Sequence, residues 1–264
     1  MIVPEYLIYQ IAAAESDSCW RVRRCNPIKI IRKSVAGCGY PVAMLEKLLG
    51  SKLKTAKILE IGSGNGFSLC HALLQGLDIT GIEPGAQGFN GRYLRAADLL
   101  RINGMDETRL INASAESLPF GDNTFDAVFS VAVLEHVADV KKTMSESLRV
   151  LKPNGVLWAN VPNYGSFYEG HYNLPWIPGM SKSAAKKYVS LFGRDPDFID
   201  GLNFLTPAMF KGKIYLYGYG LLNYVFVVCN LLMEVPVLKY PAKLCVKILE
   251  ALGMAIIFDV VIRK

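Results

Sequence analysis

Between Lys57 and Phe67 the chain reads Lys57-Ile58-Leu59-Glu60-Ile61-Gly62-Ser63-Gly64-Asn65-Gly66-Phe67. A short apolar strand runs into three glycines at alternate positions, and the helix-compatible run Phe67–Leu77 follows. Glycine has no Cβ, so such a loop allows a tight turn and lets a ligand approach the backbone at a helix N-terminus. Glu60 precedes the loop, and a second carboxylate, Glu83, ends the next apolar segment.

From Ala56 onward a strand–turn–helix rhythm repeats. The segments Ile58–Ile61, Leu77–Glu83, Arg109–Ala113, Phe125–Val131 and Gly155–Val161 read as strands. The segments Phe89–Ile102 and Asp139–Leu151 read as helices, the second stopped by Lys152-Pro153-Asn154-Gly155. Strands alternating with helices predict a doubly wound, Rossmann-like, mostly parallel α/β sheet, with ligands at the carboxyl ends of the strands. Before it, residues 1–50 form a helical cap containing Tyr6–Ala14 and Pro41–Leu49. The sheet-forming core is expected over 51–163.

Residues 164–213 break the rhythm with aromatics and prolines, as an inserted substrate lid would. Residues 214–264 are expected to complete the sheet with the strand Met254–Ile262. The uncharged run Ile214–Met233 is long enough to cross a bilayer. Its two glycines, two asparagines and four tyrosines favour a buried strand and helix, or an interfacial helix. Lys239, Lys243 and Lys247 then lie on one face of an amphipathic helix.

Composition narrows the classes. Hydrophobic residues make up 52% of the 264, and the net charge is +6. Arg21, Arg23, Arg24, Lys29, Arg32 and Lys33 form a basic run with no acidic residue between them, read as a solvated face or as a contact for lipid headgroups or a phosphorylated substrate. No RNA-binding module accompanies the run, so a nucleic-acid partner is not expected. The six cysteines form no Cys-x-x-Cys pair, which argues for reduced thiols, a cytoplasmic compartment and no zinc site. Peripheral contact with the inner face of a membrane fits the charge.

Three nucleotide sites compete for the glycine loop. A phosphate-cradling P-loop needs Gly-Lys-Ser/Thr, and Gly66 is followed by Phe67-Ser68. A dinucleotide fingerprint places its third glycine one residue later. What remains is a cofactor without a pyrophosphate, held by backbone amides, an ammonium-attracting Glu60 and a ribose-binding Glu83. S-adenosylmethionine suits that set.

Further motifs follow in order. They are Gly81-Ile82-Glu83-Pro84, Ser114-Ala115-Glu116-Ser117-Leu118-Pro119-Phe120, Leu134-Glu135-His136-Val137 and Leu148-Arg149-Val150-Leu151-Lys152-Pro153-Asn154-Gly155. With the glycine loop they resemble the class I S-adenosylmethionine-dependent methyltransferases, type 11 subgroup, over about residues 54–163. The resemblance implies cofactor contacts from Glu60, Gly62, Ser63, Gly64, Gly66, Glu83, Pro84, Ser114, Ala115 and Glu116, and no metal. Ser114 stands where the family carries an adenine-binding Asp. The family's Asn/Asp-Pro-Pro-Tyr amine motif is replaced by Val131-Ala132-Val133-Leu134, which points to an oxygen or carbon acceptor.

His136 is the first candidate base, with His171 and Glu169 of the insert as second candidates. The insert more loosely resembles methyltransferases of glycan or lipid-linked-sugar assembly. The expected reaction is methyl transfer to a small-molecule, glycan or lipid-linked acceptor. A quinone- or polyketide-type acceptor is the alternative, and a non-catalytic cofactor-binding protein the second alternative.

Overall fold

The computed structural model describes residues 1–14, 26–85, 91–217 and 257–264. They fall into two compact units, Met1–Trp158 with Ile262–Lys264, and Ala159–Val261.

In the first unit, β1 (Lys57–Ile61) lies between β2 (Asp78–Ile82) and β4 (Phe125–Val131), parallel to both. Ile58 pairs with Ile79 on one side and Ala127 on the other. The short β3 (Leu110–Ile111) extends the parallel array beside β2. With β5 (Leu151–Pro162), β8 (Lys213–Tyr217) and β9 (Ile257–Arg263), the sheet order is β3-β2-β1-β4-β5-β9-β8. The β8–β9 pair is antiparallel. The mostly parallel sheet of the sequence reading is therefore present. The near-continuous apolar runs in β1 and β4 match strands covered on both faces.

The helices start and stop for local reasons. Helix α1 (Glu5–Ala14) buries Leu7, Ile8, Ile11 and Ala12. Helix α2 (Pro27–Ala36) begins where Asn26 accepts the Lys29 amide, with Pro27 in the first turn. Helix α3 is Tyr40–Leu49. Helix α4 (Phe67–Leu74) ends before the expected Leu77. The Gly76 amide bonds the Leu73 carbonyl (2.9 Å) and the Leu77 amide the Ala72 carbonyl (3.2 Å), a Schellman turn that tucks Leu77 into the core. Helix α5 (Arg92–Ile102) closes the same way through Gly104 and Met105. Helix α6 (Val140–Val150) is capped by Asp139, whose carboxylate accepts the Lys142 amide at 3.0 Å.

The strand expected from Gly155 instead begins at Leu151. The Asn154 amide bonds the Lys264 carbonyl (2.9 Å) and the Lys264 amide the Gly155 carbonyl (3.1 Å), so the chain end holds the Lys-Pro-Asn-Gly segment extended.

The second unit has its own core of Tyr164, Tyr172, Leu174, Trp176, Ala185, Val189, Ile199 and Leu202. The hairpin β6 (Tyr168–Glu169) and β7 (Leu174–Pro175) and helix α7 (Lys182–Leu191) carry much of it. Of the uncharged run Ile214–Met233, residues 214–217 are strand, and the rest lies outside the described residues, as do Lys239, Lys243 and Lys247. Among the described residues no helix is long and apolar enough to cross a membrane. Cys38 and Cys70 are free thiols.

Candidate functional site

Four strand ends converge on one cavity of about 600 Å³ in the first unit. Glu60, Gly62, Ser63 and Gly64 reach it from β1, Glu83 and Pro84 from β2, Ser114, Ala115 and Glu116 from the segment after β3, and His136 from the loop after β4. This is where a parallel sheet of this winding receives a ligand.

The loop's shape is set by its neighbours. Gly62 has φ 74°, and its amide and that of Ser63 both donate to the Ile82 carbonyl at 2.9 Å, tying the loop to the end of β2. A Cβ on Gly62 would come within 2.5 Å of Val133 Cγ2. Gly66 does not line the cavity; it caps α4 at φ 79°, and a Cβ there would meet Ala96 at 2.9 Å. The third glycine thus serves the close approach of α5 to the loop. Ala132 holds φ 52°, a left-handed conformation that a non-glycine residue adopts at a cost, in the same wall of the cavity.

The two carboxylates differ in what they meet. Glu83 Oε2 accepts the Gly64 amide at 2.8 Å. Burial raises its carboxyl above the usual range, opposed by that hydrogen bond and by Arg92 and Arg95. Glu60 is 4% exposed, and burial lifts it to about 7 against the Ser68 hydroxyl, with the like charge of Glu83 adding to the rise. Ser68 donates to Glu60 Oε1. Glu60 Oε2 and Ser63 Oγ are buried and complete no hydrogen bond among the described residues. Orphaned buried acceptors are costly. An ammonium donor satisfies Glu60 and restores its charge. Glu83, fixed through one oxygen, keeps acceptor capacity on the other for hydroxyls.

On the far side, Ser114 donates to Glu116 and accepts the Glu116 amide at 3.3 Å. The hydroxyl that replaces the expected Asp is therefore engaged with its neighbour and retains one lone pair. Glu116 Oε1 accepts the Ala138 amide at 2.8 Å. Burial alone would raise its carboxyl, but Ser114 and the backbone donors hold it below the usual range. An ionised acceptor stands in this wall at neutral pH.

The sequence reading did not single out Ser34, Gly37, Cys38 and Tyr40, which bring the N-terminal helices to the cavity wall, nor Arg92 at the start of α5. Their signal is non-local, since nothing in residues 26–50 indicates where the segment folds back.

Of the candidate bases, His136 lines the cavity. Its amide donates to the Val133 carbonyl (2.8 Å), and its Nε2 lies 3.8 Å from the buried Glu135. His171 and Glu169 belong to the second unit. Glu169 is 3% exposed; its Oε1 lies 2.6 Å from His171 Nδ1 and accepts from the Tyr164 hydroxyl at 3.2 Å, while Oε2 accepts the Tyr172 amide at 2.7 Å.

Residues 59–159 match the model of a family described as a methyltransferase domain. An uncharacterised methyltransferase of Mycobacterium sp. (strain KMS) is 33% identical over 140 residues, 53% of this chain and 52% of that protein. The demethylmenaquinone methyltransferase of Renibacterium salmoninarum is 31% identical over 143 residues, 51% of this chain and 56% of that protein. The chain thus spans about half the length of these curated relatives. The solved structure of a "putative sarcosine dimethylglycine methyltransferase" from Galdieria sulphuraria superposes with TM-score 0.51 at 16% identity, covering 91% of this chain and 89% of that one, which shows a common fold. The cofactor of this domain is S-adenosylmethionine. The buried, unsatisfied Glu60 oxygen, the Glu83–Gly64 clamp and the acceptors at Ser114 and Glu116 fit its ammonium, ribose and adenine in turn.

Proposed function

We propose that the chain is a methyltransferase that moves a methyl group from S-adenosylmethionine to an oxygen of a small-molecule, glycan or lipid-linked acceptor. The observation that carries the cofactor reading is the orphaned, charge-suppressed Glu60 beside the glycine loop, a site incomplete without a cationic donor. When bound, S-adenosylmethionine supplies a methyl group on a cationic sulfur, a leaving group already activated. The protein's share is then positioning, exclusion of water and removal of one proton.

Glu60 and Glu83 orient the cofactor's two polar ends. For the proton, the candidate base that lines the cofactor cavity is His136. In the second unit, His171 Nδ1 lies 2.6 Å from Glu169 Oε1, a pairing that would orient the ring. A hydroxyl acceptor needs such a base at the moment its oxygen bonds the methyl carbon, whereas an enzyme for neutral amines does not. The replacement of the amine motif by Val131-Ala132-Val133-Leu134 supports the same choice. A quinone-type acceptor is a second reading, compatible with the names of relatives such as the demethylmenaquinone methyltransferase.

Transfer of labelled methyl from S-adenosylmethionine into fractionated bacterial extracts tests both. Label in saccharide or lipid-linked saccharide fractions supports the proposal. Label confined to quinones replaces it with the second reading, and label in protein or amine fractions sinks it.

A further inference from the structure

Helices α1 and α2 pack against each other and leave an unusual outer surface. Tyr6 and Tyr9, one turn apart on α1, are 56% and 55% exposed, and Ile2 before them is 66% exposed. On α2, Lys29, Arg32 and Lys33 share one exposed side at three- and four-residue spacing, with Ile30 half exposed among them. Arg32 bonds both Glu5 oxygens at 3.0 Å, which sets the tyrosine side of α1 alongside the basic side of α2. That pair neutralises Glu5, the one acidic residue within residues 1–14 and 26–36. Residues 1–36 hold six basic residues against three acidic ones, +3 of the chain's +6. Trp20, Arg21, Arg23 and Arg24 belong to the connecting sequence.

From this arrangement we infer that the α1–α2 pair is a docking surface for an anionic membrane. Aromatic rings beside lysines and an exposed isoleucine match the headgroup level of a bilayer, where tyrosine and tryptophan sit with one polar end in water. Lysines near an anionic leaflet add electrostatic attraction that salt weakens. A second copy of the chain would bring like charge against like, and a nucleic acid would leave Ile2 and Ile30 without a role. The surface also has a route to the chemistry. Ser34 at the end of α2, and Gly37, Cys38 and Tyr40 just beyond it, line the cofactor cavity. Docking through α2 therefore sets one wall of that cavity against the lipid face, where an amphiphilic acceptor would arrive.

The test uses the full chain with vesicles of phosphatidylcholine alone and of phosphatidylcholine mixed with phosphatidylglycerol, at low and high salt. Three proteins are compared: wild type, Lys29→Gln/Lys33→Gln and Tyr6→Ser/Tyr9→Ser. Far-ultraviolet circular dichroism with a cooperative thermal transition confirms that each is folded, and calorimetry with S-adenosylhomocysteine is run separately. Wild type should sediment with the anionic vesicles and be released by salt. The lysine variant should partition about thirtyfold more weakly, and the tyrosine variant should be weakened at both salt levels. Equal binding to neutral vesicles, or variants that bind as wild type does, would place the membrane contact elsewhere and overturn the inference. Retention on duplex DNA or single-stranded RNA without vesicle binding would overturn it in favour of a nucleic-acid surface. Because cofactor binding is read separately, a chain that binds vesicles but no S-adenosylhomocysteine contradicts the methyltransferase reading and leaves this one standing.

Discussion

Glu60→Gln isolates the feature on which the cofactor site turns. Glu60 is buried and its carboxyl is lifted from 4.5 to about 7, chiefly by loss of hydration. The folded protein therefore holds this proton more tightly than the unfolded chain does. The stability contributed by this group is then full below about pH 4.5, falls as the pH rises, and stops falling above about 7, where both states are ionised. At about 1.4 kcal/mol for each tenfold change in proton affinity, the loss across that window is about 3 kcal/mol. Glutamine keeps the shape and the Ser68 hydrogen bond but carries no charge. Urea denaturation followed by tryptophan fluorescence, with Trp158 fully buried as a reporter, should show wild type losing up to about 3 kcal/mol more than the variant between pH 4.5 and 8. Other titrating groups are common to both proteins and cancel in the difference. Parallel pH profiles would refute the reasoning, because they would mean that Glu60 is solvated in the folded state. Binding of S-adenosylhomocysteine near pH 6 should release a proton from wild type and none from the variant, since the ligand's ammonium restores the Glu60 charge.

Three further outcomes follow from individual contacts. Gly62→Ala puts a methyl group at φ 74° and 2.5 Å from Val133 Cγ2, which should cost about 2–5 kcal/mol from the backbone and the clash together; adding Val133→Ala should recover the clash share in thermal denaturation. Asp139→Ala removes the cap of α6 and should lower stability by about 1 kcal/mol, read as a drop of a few degrees in Tm. Glu169→Gln should reduce methyl transfer to a hydroxyl acceptor while leaving S-adenosylhomocysteine affinity unchanged by calorimetry, and loss of both would make Glu169 a structural group only.

The parts of the fold that the sequence makes legible are those written in local pattern. The apolar runs Ile58–Ile61 and Phe125–Val131 are strands because β-branched and aromatic side chains fill a sheet covered on both faces. The glycine loop and the acidic residues at strand ends fall together in one cavity because a parallel sheet delivers its carboxyl ends to one edge. Legibility fails where distant chain segments decide. Helix α4 stops at Leu74 because Gly76 and Leu77 bond back to it, a turn that an apolar run toward Leu77 conceals. Leu151 joins a strand because Lys264 pairs with Asn154 and Gly155 from the other end of the chain. Gly66 looks like a ligand-facing glycine by spacing, yet its neighbour is Ala96 of α5. Cys38 and Tyr40 reach the cavity through tertiary packing that no motif announces.

The central claim, that this cavity holds S-adenosylmethionine through the Glu83–Gly64 clamp, is tested most directly by titrating S-adenosylhomocysteine into wild type and Glu83→Ala in a calorimeter. One molecule should bind per wild-type chain, and the variant should bind at least about tenfold more weakly, as expected for loss of charge-assisted hydrogen bonds. No heat of binding with wild type, or equal affinity in the two proteins, would contradict the account.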